Sequence, residues 1–235
     1  RYSASFTGNI IFWKNNSSSR VISEIIMSNF THLHLHTCYS LSSGTIRIDD
    51  LINIAKKNKL KSLALTDHLN IFGAVKFYNK CIEAKIKPIL GCEIPIIDKN
   101  NMPIGNIVLL CMNIDGYYNL NKILSFIHTS RSSSLGANID LLDNYKSNLI
   151  CLSGGRNGIC GLNSLTKSVS DSEDIIKDIS QLFLDKFYVE IDKTERQNED
   201  LYINKSLLIA SKLNLPVVAT NDVLFISDSD YEANE

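Results

Sequence analysis

The chain has 235 residues with 24 basic against 25 acidic side chains, a formal charge of −1, 44% hydrophobic and 21% charged residues. That composition excludes a disordered chain, a collagen-like repeat and a coiled coil. Near-neutral charge argues against a dedicated nucleic-acid binder, which carries a basic excess, and the length suffices for one large domain or two small ones.

In chain order, residues 1–26 are rich in Ser and Asn with no acid before Glu24, and their apolar centre, Ile10–Trp13, is too short for a secretory signal. Folding is expected to begin near Met27. Residues 1–26 are then an extension, and 27–235 are one domain, nearly complete and truncated on its C-terminal side. Strand-like runs follow at 31–36, 62–66, 87–94, 106–113, 148–152, 187–191 and 216–219. Between them lie amphipathic helices. The first carries Ile48, Leu51, Ile52 and Ala55, with Asp49 and Asp50 opening it and Lys56, Lys57 and Lys59 closing it. Later ones place Ala74, Phe77, Tyr78 and Cys81, then Leu120, Ile123, Leu124 and Ile127, then Ile203, Leu207 and Ala210 on their inner faces. The final residues, 227–235, read as the start of another helix. No apolar stretch approaches the ~18 residues of a membrane span. The six cysteines sit mostly in apolar runs, as buried free thiols in a reducing cytoplasm would.

Strand and helix in alternation imply an α/β fold with a parallel sheet. A closed barrel is favoured over an open sheet by the polar residues. His34, His36, Thr66–His68, Glu93, Ser153 and Asn221–Asp222 all fall at or just past strand C-terminal ends, which a barrel gathers into one mouth.

The strongest chemical signal is His32-Leu33-His34-Leu35-His36. In a strand all three imidazoles point one way, and imidazoles suit zinc, manganese or iron. Thr66-Asp67-His68 follows an apolar strand. Glu93 is an acid among apolar neighbours that needs a partner or a metal, and Asp222 follows the last strand. His34, His36, His68, Glu93 and Asp222 are therefore the candidate metal donors, able to support water activation for phosphoester hydrolysis. His128, near a helix end, reads as structural. Ser153-Gly154-Gly155 is a short candidate for a phosphate-binding turn.

The segments HLHLHTCYSLSSG, LALTDHLNIFGAVKFYNKCIEAKIKPILGCEIPI, NIVLLCMNIDGYYNLNKILSFIHTS and LPVVATNDVLFIS, in this order, resemble the polymerase-and-histidinol-phosphatase (PHP) domain family. The run from TDH to GCE is similar, more narrowly, to the N-terminal PHP regions of bacterial replicative polymerases of the DNA polymerase III alpha type. The resemblance implies a distorted seven-stranded (β/α) barrel with a metal site. It places the HxH histidines on His34 and His36, the TDH histidine on His68, the GCE acid on Glu93 and the first acid of the last motif on Asp222. At four further ligand positions this sequence departs from the pattern, with Ser43 for an aspartate, Asn106 for a histidine, Gly155 for a cysteine and Leu224 for a histidine. So depleted a donor set implies one divalent ion (Zn, Mn or Mg), substoichiometric or absent, because ligand number and charge set affinity. By the same resemblance the expected role is in DNA replication, as a structural and docking region with a degenerate metal site. Its expected partners are the remainder of the polymerase alpha chain and the proofreading exonuclease subunit, with DNA reached only through the parent polymerase. The palm carboxylates that hold Mg²⁺ for nucleotidyl transfer lie outside these residues. The alternative is an active metal-dependent 3′-5′ exonuclease or phosphoesterase.

Overall fold

The computed structural model describes residues 30–226 except 42, 131–133, 167, 168 and 195. The expected extension at 1–26 and the helix expected after residue 226 lie outside the described residues. Six strands form one sheet in chain order: β1 (Ser62–Leu65), β2 (Lys87–Ile97), β3 (Pro103–Cys111), β4 (Leu149–Leu152), β5 (Phe187–Asp192) and β6 (Val217–Thr220). The helices are α1 (Ile48–Lys57), α2 (Ala74–Glu83), α3 (Ile114–Thr129), α4 (Ile139–Tyr145), α5 (Gly161–Thr166), α6 (Val169–Phe183) and α7 (Glu199–Lys212). Among the described residues no helix is long and apolar enough to cross a membrane.

The sheet is mixed, which corrects the all-parallel expectation. β1–β2, β4–β5 and β5–β6 are parallel, whereas β3 runs antiparallel to both β2 and β4. The reversal follows from the missing helix between β2 and β3. Asp98 Oδ1 accepts from the Asn100 and Met102 amides at 2.8 and 2.9 Å, and Asn101 takes a left-handed φ of 60°. A side chain that binds its own backbone two residues on makes a tight turn.

A seventh strand at 31–36 is not formed. The chain bends at His34, and its ladder contact is a single bridge, Leu35 to Val223. The segment is nevertheless tied on both sides. His32 and Leu35 carbonyls accept from Ala64 and Thr66 amides, and the His36 amide donates to Val223 at 2.9 Å.

Strand periodicity explains how the sheet curls. Leu33, Ala64, Ile89, Val108, Leu110, Ile150, Leu152, Tyr188 and Val218 pack as one small cluster to which every strand contributes. Such a cluster requires the inner faces of all six strands to converge. Residues of opposite parity, such as Leu63, Ile94, Leu109, Cys151 and Val189, belong to the cores under the helices on the convex side.

The helix faces follow the sequence in α1 and α3. Ile48, Leu51, Ile52 and Ala55 are buried, as are Leu120, Ile123, Leu124 and Ile127. Asn113 caps α3 by accepting from Gly116 N at 3.0 Å. Two expectations are corrected. Tyr78 is 48% exposed on α2. In α7 the buried positions are Glu199, Tyr202, Ser206, Ile209 and Ala210, so Leu207 faces outward. That helix is rotated because the Tyr202 hydroxyl is held by Asp192, accepting its amide hydrogen at 2.7 Å and donating to its carboxylate.

Candidate metal centre

Along each strand the inner positions change from apolar to polar in the same direction. In β5 the sequence Tyr188, Glu190, Asp192 rises from the small cluster to the rim. In β2 it is Ile89, Gly91, Glu93, and beyond β6 Val218 and Thr220 lead to Asp222. β3 enters from the opposite end, so Asn106, not Leu110, stands at the rim beside Glu93. The two are joined by Asn106 Nδ2 donating to Glu93 Oε1 at 2.9 Å.

Two imidazoles meet at the centre of this rim, with His34 Nε2 and His36 Nε2 3.1 Å apart. Each ring is fixed by its other nitrogen. His34 Nδ1 lies 2.9 Å from Glu190 Oε1, and His36 Nδ1 lies 2.9 Å from Ser40 Oγ. Ser40 gives its own proton to Asp67 Oδ1 at 2.7 Å, so its oxygen accepts from His36. Both rings therefore carry Nδ1–H and turn Nε2 inward, the arrangement that outer partners impose on metal-binding histidines. Asp222 Oδ1 stands 3.6 Å from His36 Nε2 and is buried without a hydrogen-bond partner. His34, His36 and Asp222 present donor atoms all within 4.8 Å of one another. Two imidazole nitrogens and a bare carboxylate oxygen at that spacing fit a divalent cation.

Glu93 and His68 are adjacent but engaged with each other. Glu93 Oε2 accepts from His68 Nδ1 at 2.8 Å, and its oxygens lie 3.7 and 3.9 Å from the Nε2 atoms of His34 and His36. Burial pushes the Glu93 carboxyl upward, but the His68 hydrogen bond and the three imidazoles outweigh it and hold the group at about 2. His34 shows the converse balance. Burial works against its charge, yet Glu190 beside Nδ1, with Asp222 and Glu93 beyond, raises it to about 10. His36 is lowered by burial and by the His34 charge.

His32 does not join the other histidines, because the bend at His34 breaks the alternation that would align the three. Its ring packs edge-on against Phe30 at 4.6 Å, and burial drops it to about 4. Ser43 donates to the Ser40 carbonyl at 3.3 Å. Asn106 turns its amide hydrogens toward Glu93, since its oxygen there would repel the carboxylate. The Leu224 carbonyl accepts from Thr45 N at 3.1 Å. At the Ser153-Gly154-Gly155 turn the amides on either side of Gly155 are already engaged, Gly154 N donating to Glu190 Oε2 at 3.0 Å and Arg156 N to Asp192 Oδ1 at 2.9 Å. His128 Nε2 donates to the Leu69 carbonyl at 2.7 Å, tying α3 to the loop after β1.

Glu190 and Asp192 are the residues that sequence reasoning missed. The signal was present, since an acid inside an apolar strand is the argument that singled out Glu93, and FYVEID carries two at alternate positions.

The described residues thus form a curled α/β sheet with histidines and carboxylates converging at one end of its inner face. The PHP domain model covers residues 32–194, and the chain belongs to that family. Within the family it is similar to DNA polymerase III subunit alpha. It is 35% identical to the Pseudomonas fluorescens protein over 211 residues, 88% of this chain and 18% of that one. Against the Escherichia coli K12 protein the figure is 34% over 209 residues, with the same coverage. The chain thus spans less than a fifth of these relatives' length. Two solved structures share the fold at lower identity. A protein proposed to be a metal-dependent phosphoesterase, from Bifidobacterium adolescentis, aligns with TM-score 0.52 and 13% identity over 84% of this chain and 88% of its own. An amidohydrolase from Chromobacterium violaceum, with bound sulfate and no metal, aligns with TM-score 0.51 and 12% identity over 83% and 87%.

Proposed function

We propose that this chain is the N-terminal PHP region of a replicative DNA polymerase III alpha subunit, acting in the cytoplasm mainly as a structural and docking unit with a degenerate metal site. Residues 27–235 form the unit, 1–26 are an extension, and the 31–36 segment stands as a degenerate seventh stave of a distorted barrel. Its partners are the remainder of the alpha chain and the proofreading exonuclease subunit, and DNA is reached through the parent polymerase.

The observation that carries this reading is the thinness of the donor set. Among the described residues only His34, His36 and Asp222 converge as a set of metal donors, while Glu93 is committed to His68 and Asn106. One divalent ion suits three donors, whereas a multinuclear cluster needs more anions than remain. A divalent ion bound there supplies Lewis acidity and makes water a better nucleophile. His34, His36 and Asp222 would hold it, and His68 and Glu93 would flank it as a hydrogen-bonded pair.

The bare, buried Asp222 oxygen favours the second reading, an active metal-dependent 3′-5′ exonuclease or phosphoesterase, because an uncompensated buried carboxylate oxygen is costly without a cation. Metal analysis of the purified chain, with exonuclease assays in Mn²⁺ and Zn²⁺, separates the two. Metal below about a tenth of an ion per chain with no chelator-sensitive cleavage is the expected result. Stoichiometric metal and cleavage that vanish in His34→Ala would overturn it. Co-purification of the exonuclease subunit with the full-length protein tests the docking role, and failure to bind counts against it.

A further inference from the structure

We propose that Glu190 is the positioning residue of this centre, one buried carboxylate that sets two of its metal donors at once. The inference rests on His34, His36 and Asp222 being the donors. Glu190 is fully buried on the inner face of β5. Among the described residues its one ion-pair partner is His34. Its Oε1 accepts from His34 Nδ1 at 2.9 Å and from the Thr220 hydroxyl. Oε2 accepts from Gly154 N at 3.0 Å, and the Glu190 amide donates to Ser153 Oγ at 2.9 Å. The segment before α1, the turn after β4 and the end of β6 therefore converge on a single side chain.

An ionised carboxylate only accepts hydrogen bonds. Facing Glu190, His34 must keep its proton on Nδ1 and direct Nε2 toward His36. Thr220 lies two residues before Asp222, so the same oxygen that orients His34 also anchors the strand end from which Asp222 projects. With three donors already bound, Glu190 acts through its neighbours and not as a ligand.

Glu190→Gln is the informative change, because it keeps the shape and replaces one acceptor by a donor. Wherever the new NH₂ sits, it opposes either Gly154 N–H or the His34 and Thr220 hydrogens. In the second case His34 Nδ1 becomes an acceptor and its proton moves to Nε2, the atom the metal needs. Zn²⁺ affinity is measured by chelator competition on the full chain and on E190Q, alongside Co²⁺ visible absorption and circular dichroism. The expected result is a folded E190Q that binds Zn²⁺ roughly 10–100-fold more weakly, with an altered Co²⁺ spectrum. A folded E190Q with affinity within about twofold and an unchanged spectrum overturns the proposal. Should E190Q fail to fold, ¹⁵N–¹H NMR of the parent decides, since an unprotonated His34 Nδ1 overturns the proposal whether or not metal binds. Zn²⁺ binding too weak to measure in the parent sinks the metal reading alone, and the Nδ1 proton still tests the contact with Glu190.

Discussion

Two imidazole lone pairs cannot face each other across 3.1 Å without repulsion, so in the metal-free protein a proton must lie between His34 Nε2 and His36 Nε2. The raised His34 value of about 10 and the lowered His36 value express that arrangement, with the charge on His34 beside Glu190. The stabilisation from a raised group is complete below its unfolded value, near 6.5, and is lost as pH rises through about 10. Glu93 is depressed to about 2, so its contribution is present above its ordinary value of 4.5 and is lost as pH falls through about 2. Urea midpoints of the metal-free chain should therefore hold a plateau from about pH 5 to 7 and decline on both sides. Zinc must displace the shared proton, so its affinity should rise with pH across the same alkaline range. A second residue-scale expectation concerns Asp67. Its carboxylate accepts from Thr37 N at 2.6 Å, Thr37 Oγ1 at 2.8 Å and Ser40 Oγ at 2.7 Å, and so holds the loop that orients His36. Asp67→Ala leaves these buried donors unpaired and should cost about 2–4 kcal/mol in chemical denaturation.

At the scale of elements, the turn after β4 makes the sharpest demand on sequence. Gly154 has φ 82°, and a Cβ there would lie 2.4 Å from the Asn106 carbonyl. Gly154→Ala combines left-handed strain with a backbone clash and should lower stability by at least about 2 kcal/mol in urea titration. It should also weaken Zn²⁺ binding, because the Gly154 amide is one of the bonds that fix Glu190. Which parts of these elements were legible follows from what sets each one. α1 and α3 were readable because their buried faces are apolar stripes at helical spacing. The α7 face was not, since a tyrosine hydroxyl seeking Asp192 fixed its rotation rather than the Leu/Ile pattern. Six of the seven strand positions were readable, the 31–36 segment being the exception, but strand direction was not. The Asp98 turn, which reverses the chain, sits between two apolar runs that look the same read either way. Of the site, His34, His36 and Asp222 lie within reach of one another, and His68 and Glu93 stand beside them as a hydrogen-bonded pair. His32 was misplaced because alternation was assumed through a bend, and Glu190 was passed over although its alternation with Tyr188 and Asp192 was visible.

For the molecule as a whole, the inner cluster and the polar rim depend on closing the curl between its first and last described segments. Leu35 meets Val223, and the His36 amide finds its acceptor there. Ending the chain after Pro216 removes β6, Thr220 and Asp222 together, and exposes the edge of β5 that β6 covers. An uncovered edge pairs with other molecules. The shortened chain should lose its cooperative melting transition by circular dichroism and should self-associate in sedimentation velocity. A monomeric, cooperatively melting product would contradict this view of the curl.

The Leu35–Val223 contact also bears on the order of events during synthesis. Contacts distant in sequence form slowly, because the intervening chain must first be organised, and a growing polypeptide folds its early parts first. The β2–β3 hairpin is local and needs nothing downstream, so it is the natural starting point on the ribosome. His34 and His36 emerge early, but Asp222 emerges only after all six strands. The nascent chain therefore holds its histidines without their carboxylate until the last strand is made, and a site that needs all three donors is complete only once the curl can close.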